Sequence, residues 1–168
     1  MDEVGRRMRE CEFFIPEVLI AARAARAATD ILRPLLVGDE SVRSASTVGC
    51  GTVKGDLHDI GKNIVAMMLE SAGFRIVDLG VDTAPEKIIE AVRQHQANIV
   101  AMSALLTTTM VNMKAVIEAL AAVGLRDKVR VMVDGAPVTD TWAHSIGADV
   151  YGKDAPAAVE LARQLVAG

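Results

Sequence analysis

The pattern of apolar and polar positions changes character once along the chain. From residue 1 to about Leu36 it has helical spacing. Val18, Leu19, Ala22, Ala25, Ile31, Leu32 and Leu35 recur at mixed three- and four-residue steps and mark one apolar face, while Arg23, Arg26 and Arg33 mark the other. Pro16 suits the first turn of this helix, where a missing N–H costs nothing. Pro34 near the end and Gly38 just beyond it form a stop signal, and Gly38-Asp39-Glu40-Ser41 reads as a polar linker. Asp2 to Arg9 reads as the tail of another helix, broken at Cys11-Glu12.

From about Ser46 strands and helices alternate. Thr47 to Val53 is the first expected strand, and Ile60 to Ala72 a helix closed by Gly73. Phe74 to Leu79 is the second strand, and Thr83-Ala84-Pro85-Glu86 has capping-box spacing for a helix running to about Gln94. Ala97 to Ser103, Val129 to Val133 and Asp149-Val150-Tyr151 are further strands. Helices are expected at Thr109 to Val123, Thr139 to Ser145 and Asp154 to Ala167. Five short apolar strands alternating with helices predict an α/β fold, a doubly wound five-stranded parallel sheet of Rossmann-like or flavodoxin-like type. The organisation is a short N-terminal helical cap over residues 1–38, a linker over 39–45 and the α/β domain over 46–168. Such sheets bind ligands beyond the carboxyl ends of their strands, at the topological switch point.

Composition narrows the class. A chain of 168 residues with 51% hydrophobic and 24% charged content is one domain with at most a small appendage, not a disordered tail or a disulfide-stapled miniprotein. A formal net charge of −4 and 3% aromatic content argue against a coat for nucleic acid or anionic lipid and leave little for base stacking. Cys11 and Cys50 fit a reducing compartment; a bridge between them is permitted but nothing demands it. The charged amino terminus has no export pattern, and apolar stretches such as Ile64 to Leu69 fall far short of the roughly 20 residues that span a bilayer. A soluble cytoplasmic protein is expected, with neither nucleic acid nor membrane as partner.

The loop after the first strand carries the most chemistry: Gly55-Asp56-Leu57-His58-Asp59-Ile60-Gly61-Lys62-Asn63. An imidazole at the carboxyl edge of the sheet can offer one ring nitrogen to a metal while a carboxylate holds the other. Gly61 lets the helix start lie close to something bulky. The plain reading is a surface loop whose His and Asp cap the helix, and Asp-x-His-x-x-Gly alone is short. Its place at the ligand edge of the sheet raises its weight.

Gly55 to Val65 resembles, nearly letter for letter, the signature of the cobalamin-binding domain of corrinoid methyltransferase proteins. The similarity continues through Ile76-Val77-Asp78-Leu79-Gly80-Val81, Met102 to Thr107 and Gly135-Ala136-Pro137-Val138-Thr139, and upstream through Met1 to Gly5 and Phe14-Ile15-Pro16-Glu17, so it covers essentially the whole chain. The resemblance implies a cobalamin cofactor, methylcobalamin when loaded, bound base-off with His58 as metal ligand below the cobalt. It implies that Asp56 bonds the other imidazole nitrogen, that Thr109 extends the relay, and that the loop residues Leu57, Asp59, Ile60 and Gly61 lie against the cofactor. Ser103, at the end of the third strand, and Leu105 would line the pocket of the displaced nucleotide tail, the loop of Gly135 and Ala136 would pass beside the nucleotide, and Thr107 and Tyr151 are further cofactor-binding positions. Phe14 occupies the cap position that shields the upper face. A His–Asp pair that gains or loses a proton suits a metal whose lower coordination changes with methyl transfer.

The implied role is a methyl carrier, non-catalytic by itself, between a substrate:corrinoid methyltransferase and a second methyltransferase with tetrahydrofolate or coenzyme M as acceptor; a reductive activase is a further partner. Two features depart from the family pattern. Asp134 stands where the family has glycine, so that its carboxylate either crowds the nucleotide or points outward. About two helical segments stand where a four-helix cap is usual, which points to a homodimer sharing a cap or to a shortened chain. The rival readings are a cobalamin sensor, an adenosylcobalamin mutase subunit, and a nicotinamide-binding Rossmann domain built on Gly49-x-Gly51, Gly55 and Asp78, whose third glycine would fall at Lys54. His95 reads as a solvated surface residue, His144 as packing or surface, Lys62 and Asn63 as exposed polar residues of a helix start with contact to cofactor amides as the alternative, and the eight Met residues as core filling.

Overall fold

The computed structural model describes residues 2–32 and 46–167. Helices α1 (Asp2–Arg9) and α2 (Ile15–Leu32) come first. The α/β part follows as β1 (Thr47–Thr52), α3 (Ile60–Ser71), β2 (Arg75–Asp78), α4 (Pro85–His95), β3 (Ile99–Ser103), α5 (Thr107–Ala122), β4 (Arg130–Asp134), α6 (Asp140–Ser145), β5 (Val150–Gly152) and α7 (Ala155–Ala167). The five strands form one parallel sheet in the order β2-β1-β3-β4-β5. The chain steps outward from β1 to β2, then crosses back to β3 on the other side of β1. The carboxyl ends of β1 and β3 therefore flank the switch point.

The central strands are buried on both faces, as parallel strands between helical layers must be, while the edge strand β2 is partly exposed. Every residue of β1 and β3 is buried. Alternate side chains feed two cores. Val100, Met102, Val131 and Val133 pack with Ile88, Met113 and Leu120 of α4 and α5; Val48, Cys50, Ile99, Ala101 and Met132 pack with Leu69 of α3 and Val159 of α7. Each large apolar side chain so buried contributes about 1.5–3 kcal/mol. Glycine in β1 has a specific reason: a Cβ at Gly51 would lie 3.2 Å from Thr83 Oγ1 and 3.3 Å from Leu79 Cβ, so its absence lets the β2–α4 connection pass close by.

The cap divides between two helices of the sheet. α1 lies on α7, where Gly5 meets Pro156, and Arg9–Glu160 and Arg163–Asp2 pair at 3.1 and 3.0 Å. α2 lies on α3 through buried Val18 and Ala22, and Arg26 pairs with Glu70 at 3.2 Å. These exposed ion pairs add little, so the apolar contacts carry the attachment.

The element pattern matches the sequence expectation to within two residues at most ends, with two differences. Ile31 is not on the covered face: it is 71% exposed, as is Ile20, because the seam on α3 runs through Val18, Leu19, Ala22 and Ala25. Thr83 does not cap α4. Ala84 holds that position, and the Thr83 side chain is buried, its hydroxyl turned toward the Leu79 carbonyl at 3.3 Å. The parallel bridge of Thr83 to Val53 fixes that orientation. Both cysteines are free, Cys11 exposed and Cys50 buried, and burial pushes the Cys50 thiol up to about 12. Arg33, the Pro34–Gly38 stop, Leu35 and the 39–45 linker lie outside the described residues, and the Leu32 side chain is likewise not described.

Gly135, just after β4, sets the geometry of the sheet edge. Its φ is +129°, and a Cβ there would lie 1.9 Å from the Ala104 carbonyl oxygen. Gly135→Ala is therefore expected to destabilise the protein by about 3 kcal/mol or more, read from the midpoint of urea unfolding. Gly61→Ala, whose Cβ would meet no atom within 4 Å, is expected to be neutral or stabilising in the same measurement.

Candidate functional site

The β1–α3 loop is fastened before it reaches its functional residues. Gly55, at φ +81°, donates its N–H to Asp82 Oδ1 at 2.7 Å. The Asp56 N–H bonds the Val53 carbonyl at 3.1 Å, and the Asp82 N–H bonds the Asp56 carbonyl at 3.0 Å. Buried Thr52 donates its hydroxyl to the His58 carbonyl at 3.0 Å, closing the loop over the strand end.

The Asp56 side chain is fully buried and accepts from four directions. Oδ1 receives the His58 N–H at 3.1 Å and lies 2.7 Å from His58 Nδ1. Oδ2 receives the Leu105 N–H at 2.8 Å and the Thr109 hydroxyl at 2.7 Å. Burial alone would raise the pKa of this carboxyl. The hydrogen bonds from Thr109, Leu105 and His58 outweigh it and hold the group well below the usual carboxylate range. An ionised Asp56 needs a donor at Nδ1, so in the neutral ring the proton sits there and Nε2 carries the lone pair. The ring is half exposed, and Nε2 has no hydrogen-bond partner among the described residues.

His58 borders a cleft of about 390 Å³ between α3, the carboxyl ends of β3 to β5, and the start of α7. Ser103, Leu105, Gly135, Ala136 and Tyr151 line it, and so does Gly61. The empty space around a Cβ at Gly61 opens the helix start toward this cleft. Leu57 and Ile60, 71% and 72% exposed, flank His58 in the same loop as an apolar surface beside the ring. Asp59 instead sits at the N-cap of α3, its Oδ2 bonded by Asn63 Nδ2 at 3.0 Å. Thr107 is exposed in the first turn of α5. Phe14 is exposed just ahead of α2, its N–H bonded to Glu17 Oε2 at 3.0 Å. Leu57, Asp59, Ile60, Thr107 and Phe14 do not line the cleft.

One residue reads differently from the sequence expectation, and for another the structure decides between two alternatives. Lys62 is not a solvated surface residue: it is 4% exposed, and its Nζ donates to Asp78 Oδ1 at 2.6 Å and Asn63 Oδ1 at 2.7 Å. A long aliphatic stem let it lie under the loop with only its charge satisfied at the edge. Asp134 does not point outward. It lines the cleft beside Ser103, its register partner on β3, and burial pushes its carboxyl up to about 6 against the opposing effect of the Ser103 hydroxyl. Met8 of α1 and Lys153 and Asp154 ahead of α7 also line the cleft. The packing of α1 on α7 brings Met8 there and the strand-end register the other two, neither of which a short motif displays.

Gly49 and Gly51, the ingredients of a dinucleotide loop, lie inside β1 in register with Val100 and Met102. They form no phosphate-binding turn, and that rival reading falls. Among the described residues no helix is long and apolar enough to cross a membrane.

The B12 binding domain family matches residues 46–161, and a second B12 binding domain family matches residues 1–33. The trimethylamine corrinoid protein of Methanosarcina barkeri is 47% identical over 160 residues, spanning 95% of this chain and 74% of that protein. A crystal structure of a cobalamin-binding protein from Desulfitobacterium hafniense superposes with a TM-score of 0.85 at 34% identity, covering 98% of this chain and 77% of that one. A methanol:cobalamin methyltransferase complex from Methanosarcina barkeri superposes with a TM-score of 0.79 at 32% identity, covering 97% of this chain and 62% of that one.

Asp56 joins three segments, so its loss has a measurable cost. Asp56→Ala is expected to destabilise by about 2–4 kcal/mol, because the Leu105 N–H and Thr109 hydroxyl lose a charged acceptor. Folding lowers this pKa, so the stability Asp56 lends is complete at neutral pH and erodes as pH falls below about 4. Urea midpoints at pH 7 and pH 3 measure both effects, and the gap between wild type and variant should narrow at the lower pH.

Proposed function

The chain belongs to the B12-binding domain family, among the corrinoid proteins of methyltransferase systems, and from that premise we propose that it carries methyl groups with His58 as the lower axial ligand of its cobalamin. The contact that carries this reading is the 2.7 Å pair of His58 Nδ1 with Asp56, which leaves Nε2 as a lone-pair donor at the carboxyl edge of the sheet. The donor set and space fit the group: one free imidazole nitrogen, an apolar surface at Leu57 and Ile60, and a cleft open at Gly61. When bound, the cobalt of the corrin supplies the chemistry of taking up and giving up a methyl group.

The residues of this chain hold and orient. Asp56 keeps the proton on Nδ1 and turns Nε2 toward the ligand side. Thr109 and the Leu105 N–H keep Asp56 charged, so the ring is held in place by a buried anion rather than by solvent. Ser103, Leu105, Gly135, Ala136 and Tyr151, which line the cleft, would hold the nucleotide tail of the cofactor. Thr107, exposed in the first turn of α5, and Asp59, at the N-cap of α3, would stand beside the bound cofactor, and Phe14 would belong to the cap over its outer face.

The partners in this reading are a substrate-specific methyltransferase, an acceptor methyltransferase using tetrahydrofolate or coenzyme M, and a reductive activase. The trimethylamine and methanol systems of its relatives support the first of these. A second copy of the chain is a candidate to cover the exposed side of α2 at Ile20 and Ile31. The exchange belongs in the cytoplasm, where unpaired thiols such as Cys11 stay reduced.

Purified protein mixed with hydroxocobalamin and desalted should retain colour with an axial-nitrogen spectrum. His58→Ala should retain corrinoid with a base-off spectrum, and an unchanged axial-nitrogen spectrum in that variant would overturn the assignment. Gly61→Leu should lower retention at least tenfold with an unchanged melting curve, since its side chain enters the cleft rather than the core.

A further inference from the structure

The last residues of β3, β4 and β5 lie side by side: Ser103 is in register with Asp134, and Asp134 with Gly152. Two residues earlier, Ala101 and Met132 face the α3–α7 core, so Ser103 and Asp134 point to that same side of the sheet. Gly152 adds no side chain there, and a Cβ on it would press on Ala158 at 3.2 Å. Asp134 thus stands in the wall of the cleft with a hydroxyl on one flank and open backbone on the other.

Its carboxyl is incompletely satisfied. Oδ1 is sealed from solvent and has no hydrogen-bond partner among the described residues. A buried carboxylate oxygen without a donor is costly, and the cost is relieved by a proton or by a ligand that shares one. Burial has already pushed this carboxyl up to about 6, and a ligand that drives water from the cleft raises it further. A protonated carboxyl both donates and accepts. Of the groups in a corrinoid tail, the phosphate is an anion that Asp134 would repel. The aromatic base is different: its ring nitrogen is a neutral acceptor that has given up its place on the metal to His58.

Resting on the axial assignment above, we infer that Asp134 recognises the nucleotide base of the corrinoid: its carboxylic O–H donates a hydrogen bond to the base's free ring nitrogen, with Ser103 holding the carboxyl in place. Asp134 is then a residue that selects among corrinoids by the chemistry of their lower base. It does not act on the methyl group.

The test compares two corrinoids binding to the full chain, followed by visible absorbance and quenching of Trp142 fluorescence. One is hydroxocobalamin, whose base has the ring nitrogen; the other is its p-cresolyl counterpart, in which a phenol replaces the base and no ring nitrogen exists. Asp134→Ala and Asp134→Gly are expected to weaken hydroxocobalamin about tenfold and the p-cresolyl form less than about twofold, the size of one charge-assisted or neutral hydrogen bond. Asp134→Asn, which keeps an N–H donor of the same shape, should recover most of the loss. Equal losses for both corrinoids, no loss for hydroxocobalamin, or an Asn variant that behaves like Ala overturns the assignment while leaving His58 untouched. A wild-type chain that retains neither corrinoid overturns the axial reading and this one together.

Discussion

One buried carboxylate organises the functional edge of this protein. Asp56 gathers four donors from the β1–α3 loop, the segment after β3 and the first turn of α5. A charge placed out of water is tolerated only where such donors are present, and here they are supplied by backbone and side chains that the sheet already fixes. The orientation of His58 follows from that constraint. So does the separation of tasks in the site: the ring's inner nitrogen is spoken for, and its outer nitrogen faces the cleft side of the sheet.

The sheet and its helices were legible from spacing alone, because buried parallel strands are short apolar runs and most are followed by a helix with a glycine near its end; α4 closes instead on Gln96 in the left-handed conformation. The Asp56–His58 pair was legible too, from a motif at the one edge where doubly wound sheets bind ligands and from its resemblance to a known family. Lys62 was not. Nothing in a sequence distinguishes a lysine whose stem is buried and whose ammonium meets Asp78 from one that waves in solvent. Thr83 shows a similar limit: capping-box spacing was present, yet the bridge to Val53 drew the hydroxyl inward. Asp134 could be flagged by position, but only the β3–β4 register shows that it turns into the cleft.

The helical cap follows simpler rules. α1 and α2 each lean on a different helix of the α/β part, and one of the pair, α1, sends Met8 into the cleft wall. The rest of that wall is strand ends and helix starts, held by backbone ladders and by the close contact of Gly135 with Ala104. Its shape is therefore set by the most rigid parts of the molecule, while Ile20 and Ile31 on the far side of α2 are left uncovered among the described residues.

The bonds that Leu105 and Thr109 make to Asp56 bridge 49 and 53 positions of sequence. Contacts of that span form late, after chain closure has been bought by the surrounding apolar packing. A nascent or partly collapsed chain thus has the histidine but not the frame that aims it. Vitamin capture then reports on completed assembly: it withdraws finished molecules from the unfolding equilibrium in proportion to how far its concentration exceeds the dissociation constant, and passes over the unfinished ones.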